Sequence, residues 1–495
     1  MLQLFCLVAV SQAMYPVVYE ISTRPWLYEL SQKYSRDITT IRQIPLVEFD
    51  LLKTKGIDYV WMMGVWQLGN YGLEIDKKVN YSYVLPDYTE DDIIGSPYAI
   101  TQYVCNKEIG IDEDLIWLKT QLHARGLKLM LDFVPNHSAC DAPTVSSNPE
   151  LYVRAKRAAN YDPKYYLPNG VAHGSDPYFD PWGDTAQWNY FEQKTRDFMK
   201  ENMMKVASIA DGIRCDMAHL DLNEVFYSTW KDEMDAWGYK MPSTEFWADT
   251  ITAVKKLYPK IVLMAEVYED YQMAKLKECG FDYYYDKAFL DKVEQSVTEV
   301  NEYIAQHDIE FFNNAAHFVE NHDENRAVYN MKTVKRADAA AALATTLPGL
   351  IFFNHGQFDG LENKLDVHLR RSYAEDVSPD AQNFYTVFTN ILKNDAFRTK
   401  NFEIVPNLAG ENPEQFSVWT RTATEKFLVV INYSEKEGSL NIPMLNVTPQ
   451  EGQTTITFTD LMTNSDPITI TQETLQTTGL GVQSAPYQVK IFKYL

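Results

Sequence analysis

Cysteine is scarce, with 5 in 495 residues, too few for a disulfide framework in a chain of this length. Positive charge is also short: 45 Lys and Arg against 68 Asp and Glu leave a formal net charge of -23. That balance disfavours nucleic acid and anionic membranes as partners, because phosphate binding depends on Lys and Arg. No run approaches the ~18 apolar residues of a membrane span, and no internal repeat or low-complexity segment breaks the pattern. What is present is a chain that is 45% hydrophobic and 13% aromatic, enough to pack a large core. Its length predicts a large barrel with additions, or two to three domains. A soluble monomer with a neutral or cationic ligand is the expectation.

The N-terminus reads MLQLFCLVAVSQA. An apolar run from Leu2 to Val10 precedes Ser11-Gln12-Ala13, which resembles a signal-peptidase site, although a basic leading segment is missing. Residues 1–13 are therefore expected to be a cleaved signal peptide on a secreted or endomembrane-lumen protein; the alternatives are a buried first strand or a start at Met14. Cleavage would leave Cys105, Cys140, Cys215 and Cys279, with one bridge, Cys105 to Cys140, conceivable. In a secreted chain Asn80, Asn432 and Asn446 would be glycosylation acceptors.

Helix and buried strand alternate along the chain. Asp112 is placed to cap a helix carrying Leu115, Leu118 and Leu122 on one face, Gly126 stops it, and LKLMLDFV (127–134) follows as a strand. The same order recurs around 17–23, 57–66, 211–216, 261–268, 281–286, 315–321 and 347–354. Near-continuous apolar strands separated by amphipathic helices imply a parallel sheet covered on both faces. Eight of them predict an α/β fold closed as a (β/α)8 TIM barrel, here over residues 14–137 and 190–399. Residues 138–189, rich in Pro, Asn, Asp, Gly and Tyr, are too long for an ordinary connection and read as a small domain inserted after strand 3. From about residue 400 strands such as 426–433 and 487–495 predict a C-terminal antiparallel β-sandwich.

Chemistry in such barrels collects at the C-terminal ends of the strands. Strand 3 ends in Asp132, Asn136 and His137, strand 4 in Arg214 and Asp216, strand 5 in Glu266, and strand 7 in His322 and Asp323. Arg214 and Asp216, two apart on a strand, share a face. Like charges held together in a partly dry site oppose their own ionisation, so structure alone has no use for three of them. Retaining glycoside hydrolysis does: it needs a carboxylate nucleophile and a protonated carboxylic acid about 5–5.5 Å apart. Arg214 suits the orientation of a nucleophile at Asp216, and Glu266 in the apolar frame MAEVY suits a retained proton. Asp132 reads as a structural acid beneath the site.

Together DFVPNH (132–137), GIRCDMAH (212–219), AEVY (265–268) and FVENHDENR (318–326) resemble, in order, the four signatures of the α-amylase family, glycoside hydrolase family 13. The resemblance implies a retaining hydrolase of α-1,4-glucans such as starch, glycogen or maltooligosaccharides. Asp216 would be the nucleophile, Glu266 the acid/base and Asp323 the transition-state stabiliser. Tyr98, His137, Arg214, His219 and His322 are implied as substrate contacts, with His219 standing where the family usually has lysine. No cofactor is implied as obligatory. Asn136 matches a family calcium ligand, with Asp184 one candidate for its partner carboxylate; calcium ligand and plain hydrogen-bonding asparagine remain alternative readings. A transglycosylase or a trehalose- or sucrose-type isomerase shares these motifs, and a non-catalytic binding barrel is a remote third reading.

Overall fold

The computed structural model describes residues 14–156, 162–444, 446–463 and 465–494; the expected signal peptide lies outside them. In chain order the strands through the last barrel strand are β1 (Val17–Ser22), β2 (Tyr59–Met63), β3 (Trp66–Leu68), β4 (Ile100–Cys105), β5 (Lys128–Phe133), β6 (His137–Ala139), β7 (Thr185–Gln187), β8 (Gly212–Cys215), β9 (Val262–Ala265), β10 (Tyr283–Tyr285), β11 (Ala315–His317) and β12 (Leu350–Asn354). Eight of these close a barrel, β1, β2, β5, β8, β9, β10, β11 and β12, each beside its neighbour in sequence. Their pairings are parallel throughout. The cause is visible in the residues: Tyr59–Met63 and Leu350–Asn354 are buried along their whole length, so both faces need cover, the outer from the crossover helices and the inner from the strands' own side chains packed in the barrel. Helix 193–209 shows how, turning Met199, Met203, Val206 and Ala207 inward.

Two local readings change. The second barrel strand stops at Met63, where Gly64 takes φ +75 and turns the chain out of the sheet; Trp66 then opens the antiparallel β3–β4 pair, which had no periodic signal of its own. Asp112 is the first residue of helix 112–123 rather than its cap. It accepts the Cys105 N–H at 2.6 Å instead, while Asp114 accepts the Ile111 N–H at 3.0 Å.

The excursion after β5 carries β6 and β7, paired antiparallel with His137 opposite Gln187. After helix 379–392, which Ser378 caps through the Ala381 N–H, the chain forms a six-stranded and a three-stranded antiparallel sheet. Their shared core holds Val418, Leu428, Leu440, Ile456 and Phe492. The Cys105–Cys140 bridge does not form: both thiols are free and buried, Cys140 Sγ lying 3.2 Å from the Thr185 carbonyl. Asn432 is no glycan acceptor in the fold. Its side chain is fully buried and donates to the carbonyls of Lys436, Ser484 and Ala485.

Candidate active site

Over the C-terminal ends of β8 and β9 opens a cavity of about 520 Å³ lined by Tyr98, His137, Asp176, Phe179, Trp182, Asp184, Asp216, Met217, Glu266, Tyr268 and Asp323, among others. Its floor is built on one side chain. Arg214, the third residue of β8, has no solvent exposure and lies among the rings of Trp61, Tyr98 and Tyr285, 5.2, 5.3 and 5.7 Å from their centroids. From that position its guanidinium donates to Asp216 Oδ1 at 2.8 Å and to Glu266 Oε2 at 2.5 Å. Asp132 receives a longer contact at 3.4 Å and takes the indole N–H of Trp61 at 3.0 Å. A planar fork of donors clamped between aromatic faces fixes two carboxyls in one geometry, where the rotatable ammonium of a lysine would not.

Glu266 is less apolar in its surroundings than MAEVY suggests. Besides Arg214 it accepts the Met217 backbone N–H at 2.8 Å and the Tyr268 hydroxyl. The Met217 contact requires a left-handed backbone at that residue, φ 43 and ψ 39, rare for a side chain with a Cβ and a mark of strain held for function. Asp216 meets the opposite balance. Burial, with Glu266 and Asp323 adding to it, pushes its carboxyl up to about 8 against the pull of Arg214. Asp132 is raised by burial to about 6, again against Arg214.

Asp323 faces cavity solvent, its side chain 46% exposed. Enclosure by the walls raises its carboxyl, but His322 at 3.0 Å and Arg214 outweigh that and hold it at about 2. His322 is itself wedged: Nδ1 meets Glu20 Oε1 at 2.6 Å, and Nε2 faces Asp323 and the Tyr98 hydroxyl, the latter at 2.8 Å. Burial alone would lower this imidazole, yet the two carboxylates keep it well above the usual histidine range. Tyr98 stacks over it, centroids 5.4 Å apart. His137 lines the cavity against Trp182 at 5.3 Å; burial pushes it down to about 4, so its ring is neutral.

The structure thus brings Asp216, Glu266, Asp323, Tyr98 and His137 to the cavity, with Arg214 and His322 directly behind. His219 is the exception. It is buried, does not line the cavity, and turns Nδ1 to the Glu266 carbonyl at 3.5 Å, its ring edge-on to Tyr268. Burial lowers its affinity for a proton, opposed by Glu266. The residue expected to contact substrate therefore packs against the Glu266 segment instead of lining the cavity. Sequence reading missed Glu20, Met217 and Tyr268. Only Tyr268 had a signal, standing two residues beyond Glu266 and so on the same face of an extended segment.

Asn136, expected either as a calcium ligand or as a hydrogen-bonding asparagine, makes the hydrogen bonds of the second reading. Its Oδ1 accepts Gln187 Nε2 at 2.8 Å, and Asp184, the partner proposed for it, instead lines the cavity close to Gly72. At the cavity rim, Asp176 Oδ1 accepts the N–H groups of both Tyr178 and Phe179, at 2.6 and 2.9 Å. That turn presents Tyr178 and Phe179 60% and 77% exposed.

Comparison with known proteins shows the family and the fold. The sequence model for "Alpha amylase, catalytic domain" matches residues 48–410. Alpha-amylase 2 of Dictyoglomus thermophilum is 23% identical over 80% of this chain, which spans 64% of that relative's length. A probable oligo-1,6-glucosidase 2 of Bacillus subtilis is 23% identical over 44% of this chain and 37% of its own length. Among solved structures, a noncanonic maltogenic α-amylase from Thermotoga neapolitana superposes with a TM-score of 0.69 at 18% identity, covering 97% of this chain and 98% of the other. An α-amylase from Lactobacillus plantarum gives 0.66 at 19% identity over 97% and 99%. With a catalytic-domain match across most of its length and a closed eight-stranded barrel, this chain belongs to the α-amylase family of glycoside hydrolases.

Proposed function

We propose that the chain hydrolyses α-1,4-glucosidic bonds in maltooligosaccharides or starch-like glucans with retention of configuration. One observation carries the reading: a single buried guanidinium bonds both Asp216 and Glu266, which suits the short carboxyl separation of about 5–5.5 Å used in retention rather than the wider gap of inversion. Asp216 attacks the anomeric carbon while Glu266 passes its proton to the departing glycosidic oxygen. Glu266 then takes a proton from water as that water displaces Asp216. The raised affinity of Asp216 for a proton fits a carboxyl pair that holds one proton between its members; the reactive form carries it on Glu266. Asp323, kept ionised by His322, is placed to hold ring hydroxyls as positive charge develops on the sugar. Neutral His137 and the Tyr98 ring supply a donor and a flat face for the same sugar.

The named relatives include α-amylases and oligo-1,6-glucosidases, so the linkage is tested directly. Maltotriose and isomaltotriose are offered in parallel, and proton NMR records the anomer released first. Preferential cleavage of maltotriose to an α-configured product supports the reading; a β-configured first product overturns it. The exposed aromatic rim favours a second outcome, transfer to an acceptor sugar, seen as products longer than the substrate.

A further inference from the structure

Three carbonyl oxygens converge on one buried amide. Gln187 Nε2 lies 2.9 Å from the Asn136 backbone oxygen, 2.8 Å from Asn136 Oδ1 and 3.2 Å from the Trp188 backbone oxygen. Gln187 has no solvent exposure and Asn136 has 1%. The orientation of the amide is set from its other end, where Oε1 accepts the Ser175 N–H at 3.3 Å. Converging oxygens at this depth need a donor or a cation, since neither water nor apolar surroundings can leave them unpaired cheaply. A cluster of carbonyl oxygens is also the ligand chemistry that hard divalent cations prefer, completed by at least one carboxylate.

We propose that the Gln187 amide occupies the position of a calcium ion, so that the junction between β6, β7 and the mouth of the barrel is closed by hydrogen bonds and needs no metal. Two features support this. The amide is neutral, and its two N–H groups together with the Trp188 N–H on the Asn136 carbonyl match the three oxygens without a carboxylate; among the described residues no carboxylate bonds the amide. The joined segments are those that carry His137 and the cavity wall: His137 is paired with Gln187 across β6 and β7, and Trp188 N–H returns to the Asn136 carbonyl at 3.2 Å. A neutral donor therefore holds the insert in register beside the cavity.

The proposal is separable from the function above because it is read as thermal stability. The unmodified chain is melted in EDTA and in millimolar calcium chloride, and the same Tm is expected in both. Gln187→Glu keeps the length of the side chain but replaces the donor with a carboxylate facing three oxygens. Its Tm should fall by several degrees in EDTA and recover in calcium, and less in magnesium, which demands a tighter octahedral shell. Gln187→Leu removes the donor and adds no ligand, so its Tm should fall equally with and without calcium. A wild-type Tm that drops in EDTA and returns with calcium overturns the proposal. So does a Gln187→Glu protein insensitive to calcium, or a Gln187→Leu protein as stable as the wild type. If Gln187→Glu folds only when calcium is present, that outcome supports it.

Discussion

The backbone N–H of Met217 donates to Glu266 Oε2 at 2.8 Å, and it can do so only because Met217 stands in the left-handed region at φ 43. The residue after the candidate nucleophile thus holds the candidate acid/base. Glycine adopts this backbone without penalty, whereas a β-branched side chain resists it. Met217→Gly should keep kcat within about threefold, while Met217→Val, forced to move the N–H, should lose roughly a hundredfold, the scale of one misplaced active-site donor. Steady-state kinetics on maltotriose, with circular dichroism to confirm folding, checks both. Equal activity in the two variants would show that the strain has no part in aiming Glu266.

Asp216 makes stability depend on pH in a defined direction. Its carboxyl is raised to about 8 by burial, while in the unfolded chain it titrates near ~3.9. Between those values the folded state binds the extra proton, so unfolding becomes easier as pH rises. Asp132, raised to about 6, acts in the same sense. His322, held well above its ordinary value, stabilises below about pH 6.5 and loses that contribution as pH climbs through its folded value. Asp323, held at about 2, gives stability already complete by pH 5. Tm should therefore fall from pH 5 to pH 8. Asp216→Asn, which imitates the protonated carboxyl, should match the wild type near pH 4 and exceed it by roughly 1–3 kcal/mol at pH 8. Urea denaturation at the two pH values measures this, and a gap independent of pH would refute the assignment.

The barrel was legible because its strands are buried on both faces and write unbroken apolar runs such as Val60, Trp61 and Met62, all without exposure. The acids were legible because charge at the end of such a run has no structural use. What escaped was set by backbone and by contacts distant in sequence. Glu20 lies 302 residues from His322, which it holds, and no spacing rule links them. Met217 acts through its N–H, on which its side chain is silent. His219 shows the converse: a polar residue beside a site motif reads as facing substrate, while in the fold its ring meets Tyr268 and its Nδ1 turns to the Glu266 carbonyl.

Glu20 gives a test of the buried charge relay behind Asp323. Its Oε1 lies 2.6 Å from His322 Nδ1, and together with Asp323 it keeps the imidazole protonated. Glu20→Gln retains a hydrogen-bond acceptor but removes one of the two anions, so the folded His322 should release its proton at lower pH. Loss of that cation removes the charge-assisted contact that orients the Asp323 carboxylate. The alkaline limb of kcat against pH should shift to lower pH by about one unit, with activity at pH 5 little changed. An unshifted limb with uniformly lower kcat would place Glu20 in packing alone.

The rim distinguishes contacts to the leaving group from contacts to the reacting sugar. Tyr178 and Phe179 are exposed, yet both are fixed by Asp176, and Phe179 lines the cavity together with Glu266 and Tyr268. Exposed rings on a pinned turn beside the acid/base are suited to stack a sugar beyond the scissile bond. Phe179→Ala should then lower kcat/KM on maltotetraose by about fivefold, the loss of roughly 1 kcal/mol of ring contact. α-Glucosyl fluoride has no leaving-group sugar to stack, so its kcat/KM should be unchanged. A loss shared by both substrates would instead put Phe179 in the architecture of the cavity, and no loss on either would leave the rim outside the path of the substrate.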